Sequence, residues 1–542
     1  MRRKATSDLW WRNAVMYCVD VEMFLDSDGD GCGDLVGLID RIDYLAGIGV
    51  SCLWLMPFYP SRQRDDGYDI TDFYGIDERL GTAGDFTELI RTANDRGIRV
   101  IADLVVNHTS DQHPWFQAAR DPESPYHDFY VWADEKPPEK PGDVVFPDQE
   151  DSNWAYDRKA KRWYLHRFYS HQPDLNVANP AVRDEIAQVV GYWLGQGLAG
   201  FRVDAVPFLI EPMGTPEGAI TDPHELLRDL RRSIGRRRGD AILMGEVNLP
   251  PEQQAAFFGN DDELHMVLSF TVNQAMYLAL ARGHAEPLVE ALKALPEIPE
   301  DCQWANFVRN HDELTLDKLS DAEREEVFAA FGPEPELQLY GRGLRRRLPS
   351  MVNEDQDRIR MVYSLSFSLP GTPVLFYGEE IGMRESLEIP GRMSVRSPMQ
   401  WSSERHRGFT TADSPGRPVA PGTAEVAAQR RDPESLLNWM ELLIRRRREC
   451  PELGWGRPTV LDAGDPAVFA HRADWDDSTI VAVHSLGEEP RAVEIEVGEA
   501  EAVVDLFGPE ELVPSGGRVR VELGRYGHRW FRVRRPGQRV AP

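Results

Sequence analysis

No two of the five cysteines, at positions 18, 32, 52, 302 and 450, stand in a CxxC pair, and their number is odd. That arrangement offers neither a disulfide framework nor a thiolate metal site, and it fits a reducing compartment. No apolar run approaches the length of a membrane span. The N-terminal stretch MRRKATSDLWWRN is basic but leads into no apolar core segment and no small-residue cleavage site, so the expected location is the cytoplasm. Basic charge is scarce as well, with 61 Lys and Arg against 90 Asp and Glu and a formal net charge of -29. Such a surface repels phosphate backbones and anionic lipid heads, which argues against nucleic-acid and membrane partners. The basic runs at Gly341 to Arg347 and Arg445 to Arg448 read, within so acidic a chain, as solvated helix ends or ion-pair partners. No internal repeat is present.

What remains is the balance of a soluble globular protein, with 42% hydrophobic and 28% charged residues in 542. Short apolar or β-branched runs (AVMYCVDV, SCLWLMPF, RVIADLVV, GFRVDAV, AILMGEV, HMVLSFT, WANFVRN, TPVLFYG) alternate with amphipathic helical stretches. Eight such pairs predict a closed (β/α)₈ TIM barrel in place of an open sheet. One connection is too long for a simple turn: after the third strand, residues 107–176 run roughly 70 positions through Pro, aromatic and charged residues. We expect an inserted domain there, with the barrel built from residues 1–106 and 177–455. From 456 to 542 the pattern becomes short alternating strands with Gly and Pro punctuation, which predicts a C-terminal antiparallel β-sandwich domain.

In a barrel of this kind, polar residues at the C-terminal ends of the strands converge on one mouth. Those ends carry Asp103, Asn107 and His108 after strand three, Arg202 and Asp204 in strand four, Glu246 in strand five, and His311 and Asp312 after strand seven. So many ionisable groups are costly to bury for packing alone, because each requires a partner. Retaining glycoside hydrolysis needs two carboxyl groups about 5 to 5.5 Å apart, one attacking the anomeric carbon and one protonating the leaving oxygen. Asp204 fits the nucleophile, kept ionised by Arg202 two residues earlier on the same strand face. Glu246 fits the acid/base, with a pKa raised by partial desolvation. Asp312, His311 and His108 fit contacts to sugar hydroxyls that tighten in the transition state.

The segments DLVVNH, GFRVDAV, GEVN and FVRNHDE, in that order, resemble the four signature regions of the α-amylase superfamily, glycoside hydrolase family 13. The resemblance covers the barrel, the excursion (the family's B domain) and the β tail (its C domain). It implies a catalytic triad of Asp204, Glu246 and Asp312, with Arg202, His108 and His311 as substrate contacts. Longer motifs, MPFYPSRQRDDGYDI, HRFYSHQPDLN, RNHDELTL and VRSPMQW, are similar to trehalose synthases (maltose α-D-glucosyltransferases) and more distantly to oligo-1,6-glucosidases. By that likeness Asp65 and Arg396 hold the outer hydroxyls of the terminal glucose, Tyr68 stacks on its ring and Phe168 lines the same subsite. The implied activity is interconversion of maltose and trehalose through a covalent glucosyl-Asp intermediate, with a hydrolytic exo-acting α-glucosidase as the alternative. The substrate is a small α-glucoside, no organic cofactor is implied, and a homo-oligomer is compatible with the composition. Two segments depart from the trehalose synthase pattern: MRESLEIPGRMS, where an acidic, Asn-containing loop is expected, and YCVDVEMF, where the pattern is more basic. Both lie toward the acceptor end of the site.

Asp26, Asp28, Asp30 and Asp34 in DSDGDGCGD place oxygen ligands at alternate positions of a Gly-rich loop, as a hard cation requires. The twelfth position is Gly37 in place of the bidentate Glu of an EF-hand, and the loop follows a strand. The family resemblance implies a structural Ca²⁺ held by these side chains and by the carbonyl of Cys32.

Overall fold

The computed structural model describes residues 7–139, 144–211, 213–214 and 222–537. Eight strands close into a barrel: β1 (Met16–Val19), β2 (Cys52–Leu55), β3 (Arg99–Leu104), β4 (Gly200–Val203), β5 (Ile242–Gly245), β6 (Met266–Leu268), β7 (Gln303–Phe307) and β8 (Thr372–Phe376). Neighbours follow chain order and β8 returns to β1, every pairing parallel. The eight apolar runs of the sequence coincide with these strands. Both faces of each are covered, one by the packed interior and one by the outer helices, which is why they read as continuous apolar runs and not as alternation.

Helix starts are set by local chemistry. Ala83–Asp95 opens on a capping box in which Thr82 and Asp85 satisfy each other's backbone donors. Pro180–Gly195, the helix that leads back into the barrel, begins with Asn179 capping Ala181 N–H and Pro180 in the first turn. Between β3 and that helix the chain makes its excursion, which contains a small antiparallel sheet of Trp132–Ala133, Arg162–Leu165 and Trp154–Asp157. A second small sheet at the mouth joins Leu314–Thr315, Gly343–Leu344 and Gln338–Leu339 after β7.

The C-terminal part pairs a six-stranded antiparallel sheet with a two-stranded one, Arg491–Glu496 against Arg518–Leu523. Its period-2 pattern has a direct use. Phe469, Ala473, Ile480, Ala482 and Trp530 pack into the barrel's core, while Val468, Ala470, Val481, Val483, Phe531 and Val533 meet the small sheet. Of the basic run at Gly341 to Arg347, read as solvated helix ends or ion-pair partners, Arg342 and Arg346 do pair with Glu313 and Glu385, each at 3.4 Å, but part of the run is interior. Arg347 is fully buried and donates to the carbonyls of Tyr377 and Val395, and Arg346 donates to those of Phe331 and Ser350. Carbonyls at the end of helix Asp321–Phe331, in the short helix Leu348–Met351 and in the segments after β8 take up these guanidinium donors. Among the described residues no helix is long and apolar enough to cross a membrane.

Candidate active site

Strand register assembles the site. Asp103 on β3 is the direct partner of Arg202 on β4, and Val203 is the partner of Gly245, so Asp204 and Glu246 emerge side by side one residue beyond their strands. The Arg202 side chain is 1% exposed and lies over the Trp54 ring at 5.3 Å. Its Nη1 donates to Asp204 Oδ1 at 2.6 Å and Asp103 Oδ1 at 3.0 Å, and its Nη2 lies 2.8 Å from Glu246 Oε2. One guanidinium therefore carries three carboxylates. Glu246 Oε2 also accepts the Ala205 N–H at 3.0 Å, and Ala205 itself sits in the left-handed region at φ 46, a strained turn directly after Asp204.

Burial and charge set the protonation of these groups. Burial pushes Asp204 up to about 6 against the pull of Arg202, with Asp103 and Asp312 adding to the rise. Glu246 is raised by burial and by Asp204 and Asp312, again against Arg202. Burial alone would raise Asp312, yet His311, Arg392 and Arg396 hold its carboxyl well below the usual range. His108 is pushed down to about 4 by burial and stays neutral at pH 7; its Nε2 lies 3.1 Å from the Tyr68 carbonyl. His311 is lowered for the same reason, with Nε2 2.8 Å from Tyr68 Oη and 3.2 Å from Asp312 Oδ2. Tyr68 donates to Asp103 Oδ2 at 2.8 Å, and its ring lies parallel to His311. Phe168 meets His108 at 5.2 Å and Phe208 at 5.5 Å between ring centroids.

Asp204, Glu246, Asp312, Arg202, His108, His311, Tyr68 and Phe168 thus converge. The expected closure by Asp65 and Arg396 does not form as written. Arg396 spends its donors within the protein: Nε to His311 O at 2.8 Å, Nη1 to Asp66 Oδ2 at 2.6 Å and Nη2 to Asp312 Oδ1 at 2.8 Å. Asp65 pairs with Arg392 and accepts from Gln172 Nε2 at 2.9 Å, and Arg392 Nη1 reaches Asp312 Oδ1 at 2.7 Å. The cause is local. Asp66 adopts φ 53, so consecutive aspartates face different arginines. Arg392 lies in the segment that departs from the expected pattern, so the motif match passed over it. Asp103 was read as a strand-end candidate but given no role, and Asp66 and Gln172 were missed, although both sit inside quoted motifs. Phe146 and Tyr169 from the excursion and Tyr340 from the small sheet's loop roof this end: Phe146 stacks on Tyr169 at 4.7 Å, meets Tyr340 at 5.3 Å and faces the Arg392 guanidinium at 5.0 Å.

At the acidic loop, ligand oxygens of Asp26, Asp28 and Asp34 lie within 4.8 Å of one another. Asp30 stands outside this group; its Oδ1 accepts the Cys32 N–H at 2.7 Å. The expected Cys32 ligand is its backbone carbonyl; the thiol of that residue turns away to donate to the Gly33 carbonyl at 3.4 Å. Asp28 is raised by slight desolvation and by Asp30, Asp26 and Asp34, all of them carboxylates. Three hard oxygen donors that repel one another are a set that suits Ca²⁺.

The alpha-amylase catalytic domain matches residues 20–327 and 344–456, and the C-terminal domain of sucrose hydrolase-like proteins matches 478–532. The trehalose synthase/amylase TreS of Mycobacterium tuberculosis is 40% identical over 97% of this chain and 90% of its own length. The trehalose synthase of Pimelobacter sp. is 39% identical, over 97% of this chain and 96% of its own. Among solved structures, the alpha-amylase from H. orenii superposes with a TM-score of 0.79 at 27% identity, covering 96% of this chain and 99% of that one. The trehalulose synthase MutB from Pseudomonas mesoacidophila gives 0.77 at 26% identity, covering 97% and 99%.

Proposed function

The chain belongs to the alpha-amylase family of enzymes, and from that premise we propose that it interconverts maltose and trehalose by retaining glucosyl transfer. The observation that carries the chemistry is the Arg202 bridge: two carboxylates held on one guanidinium fork, Asp204 at 2.6 Å and Glu246 at 2.8 Å, are close-set as a retaining pair must be. The substrates rest on the likeness, across nearly the whole chain, to relatives named trehalose synthase.

Asp204 Oδ attacks the anomeric carbon of the bound α-glucoside as Glu246 gives its proton to the leaving glucosidic oxygen, which departs as the hydroxyl of free glucose. The glucosyl-Asp204 ester then reacts with the anomeric hydroxyl of that same glucose, whose proton passes to Glu246. Both displacements invert, so the α configuration is retained. Asp312, kept ionised by His311, Arg392 and Arg396, grips the ring hydroxyls most strongly as the ring flattens. Neutral His108 and His311 donate or accept single hydrogen bonds at the same sugar, and Tyr68 and Phe168 supply apolar walls. Arg392 with Asp65 closes the far end, which favours a terminal glucose over a long chain. Asp26, Asp28 and Asp34 would hold a structural Ca²⁺ that supplies charge neutralisation to their loop. Five unpaired cysteines support a cytoplasmic location.

The alternative, a hydrolytic α-glucosidase, draws on the divergent segment before VRSPMQW, which supplies Arg392. Incubating the purified enzyme separately with maltose, trehalose, sucrose and isomaltose, with products identified by chromatography, separates the two. Trehalose with a minor share of glucose is expected from maltose. Glucose alone, at every time point and concentration, overturns the transferase reading and leaves the hydrolase.

A further inference from the structure

Arg396 is a shared resource. Its side chain is fully buried, and its fork is split between Asp66 Oδ2 at 2.6 Å and Asp312 Oδ1 at 2.8 Å, with Nε committed to the His311 carbonyl. Asp66 is itself buried, 3% exposed at the side chain, with its backbone at φ 53. Its second cation is Arg417, which donates to Asp66 Oδ1 through Nη2 and to Asp66 Oδ2 at 3.3 Å through Nη1. Arg417 Nη1 also reaches the Arg396 carbonyl at 3.4 Å. Two other acids lie against this pair, Asp20 and Glu22; burial first and then Asp66 raise both, Asp20 to about 8, which leaves Asp66 as the carboxylate that bonds Arg417 directly.

Arg417 hangs on a strap stapled to the acidic loop. Asp26 N–H donates to the Phe409 carbonyl at 3.0 Å, Thr410 Oγ1 donates to Asp26, and Gly416 N–H donates to the Gly31 carbonyl at 2.7 Å. The strap that carries the guanidinium is therefore fixed by contacts to the acidic loop and not to the substrate pocket.

We propose that Arg417 is a positioning residue for Asp312, acting through Asp66 and Arg396. By neutralising Asp66 it leaves the Nη2 arm of Arg396 free to hold Asp312 Oδ1 in the orientation that meets the sugar. Without Arg417, a buried carboxylate keeps half its pairing and draws the Arg396 fork toward itself, because a buried charge stripped of a partner is the costliest state available. Asp312 then loses one of its two arginines and retains Arg392 alone. The inference rests on reading Asp312 as the carboxylate that grips the substrate.

The test is steady-state kinetics on maltose with Arg417→Gln, the double variant Arg417→Gln/Asp66→Asn, and Asp312→Asn, with thermal melts on each. Because Asp312 works in the transition state, Arg417→Gln is expected to lower kcat about tenfold or more with KM changed less than about threefold. Removing the charge on Asp66 removes the pull on Arg396, so the double variant should recover most of the lost kcat, which a merely structural role would not produce. A folded Arg417→Gln enzyme with unchanged kcat, or a double variant no better than the single one, overturns the proposal while an inactive Asp312→Asn leaves the site reading intact. Full activity of Asp312→Asn overturns both. Should Arg417→Gln not fold, Arg417→Lys carries the same test, with a smaller loss of kcat and the same recovery on adding Asp66→Asn.

Discussion

Arg202 Nη2 lies 2.8 Å from Glu246 Oε2 while Nη1 of the same side chain holds Asp204 at 2.6 Å, so the proposed acid and the proposed nucleophile share one cation. A positive charge between them keeps the nucleophile ionised and opposes the protonation of the acid. Glu246 nonetheless ends above its ordinary value, because burial and two neighbouring carboxylates outweigh the arginine. Substrate entry that separates Glu246 from Arg202 would raise it further.

Asp204→Asn and Glu246→Gln are each expected to lower kcat at least about 10⁴-fold. Stability should be unchanged or slightly higher, since burial disfavours both charges and Arg202 keeps Asp103 as a partner. Melting curves beside turnover check this, and a fluorinated glucosyl donor should leave a covalent adduct on Asp204, located by mass spectrometry. Substantial turnover by Asp204→Asn would sink the nucleophile assignment.

The pH profile follows from the same groups. Attack needs ionised Asp204, which burial pushes up to about 6, so kcat/KM should rise with pH through about 6 and fall again as Glu246 loses its proton. Asp103, also pushed up to about 6 by burial, shares Arg202, so the acid limb belongs to the pair and not to one carboxyl. An acid limb centred on the ordinary aspartate value of about 4 contradicts the burial argument.

What could be read from sequence and what could not divide along a physical line. Barrel strands are continuous apolar runs, and the first polar residue after each faces the mouth, so Asp204 and Glu246, directly after Val203 and Gly245, were legible from position alone, whereas His311, four residues beyond Phe307, was read from its place in the loop after the seventh strand. Side-chain direction in irregular loops has no such period. Arg392 and Arg396 lie four residues apart around the 3₁₀ turn Gly391–Val395, and only the path of that turn decides which one reaches Asp65. Asp65 and Asp66 are likewise separated by a single positive φ that no pattern announces. Asp30 had the same alternate spacing as Asp26, Asp28 and Asp34, but only those three bring their oxygens together.

Calcium should raise the melting temperature without contacting substrate, because an ion bound only by the native state stabilises by mass action, about 2.7 kcal/mol when it is a hundredfold above its Kd. Chelator should reverse the gain, and Asp28→Asn should weaken it, since Asp28 is one of the three clustered carboxylates. Melts that are identical with and without chelator in metal-free buffer would reduce the loop to an acidic turn.

Transfer in place of hydrolysis requires that water stay out while the released glucose turns beside the glucosyl-Asp204 ester. The structure's candidate for that barrier is the Phe146 and Tyr340 contact, 5.3 Å between centroids, which joins the excursion to the loop that follows Gln338–Leu339 across the pocket's far end. Phe146 is buried, stacked on Tyr169 and faced by Arg392, so it is fixed, whereas Tyr340 is half-buried and held at φ 56 in a loop. Tyr340 is thus the more exposed half of the roof. Truncation in Tyr340→Ala should open a path for water and raise the glucose to trehalose ratio from maltose about threefold or more, with total maltose consumption within about threefold of the parent. Tyr340→Phe, which keeps the ring, should keep the parent ratio. Chromatography at matched conversion checks both, and a Tyr340→Ala enzyme with an unaltered product ratio would show that water is excluded elsewhere.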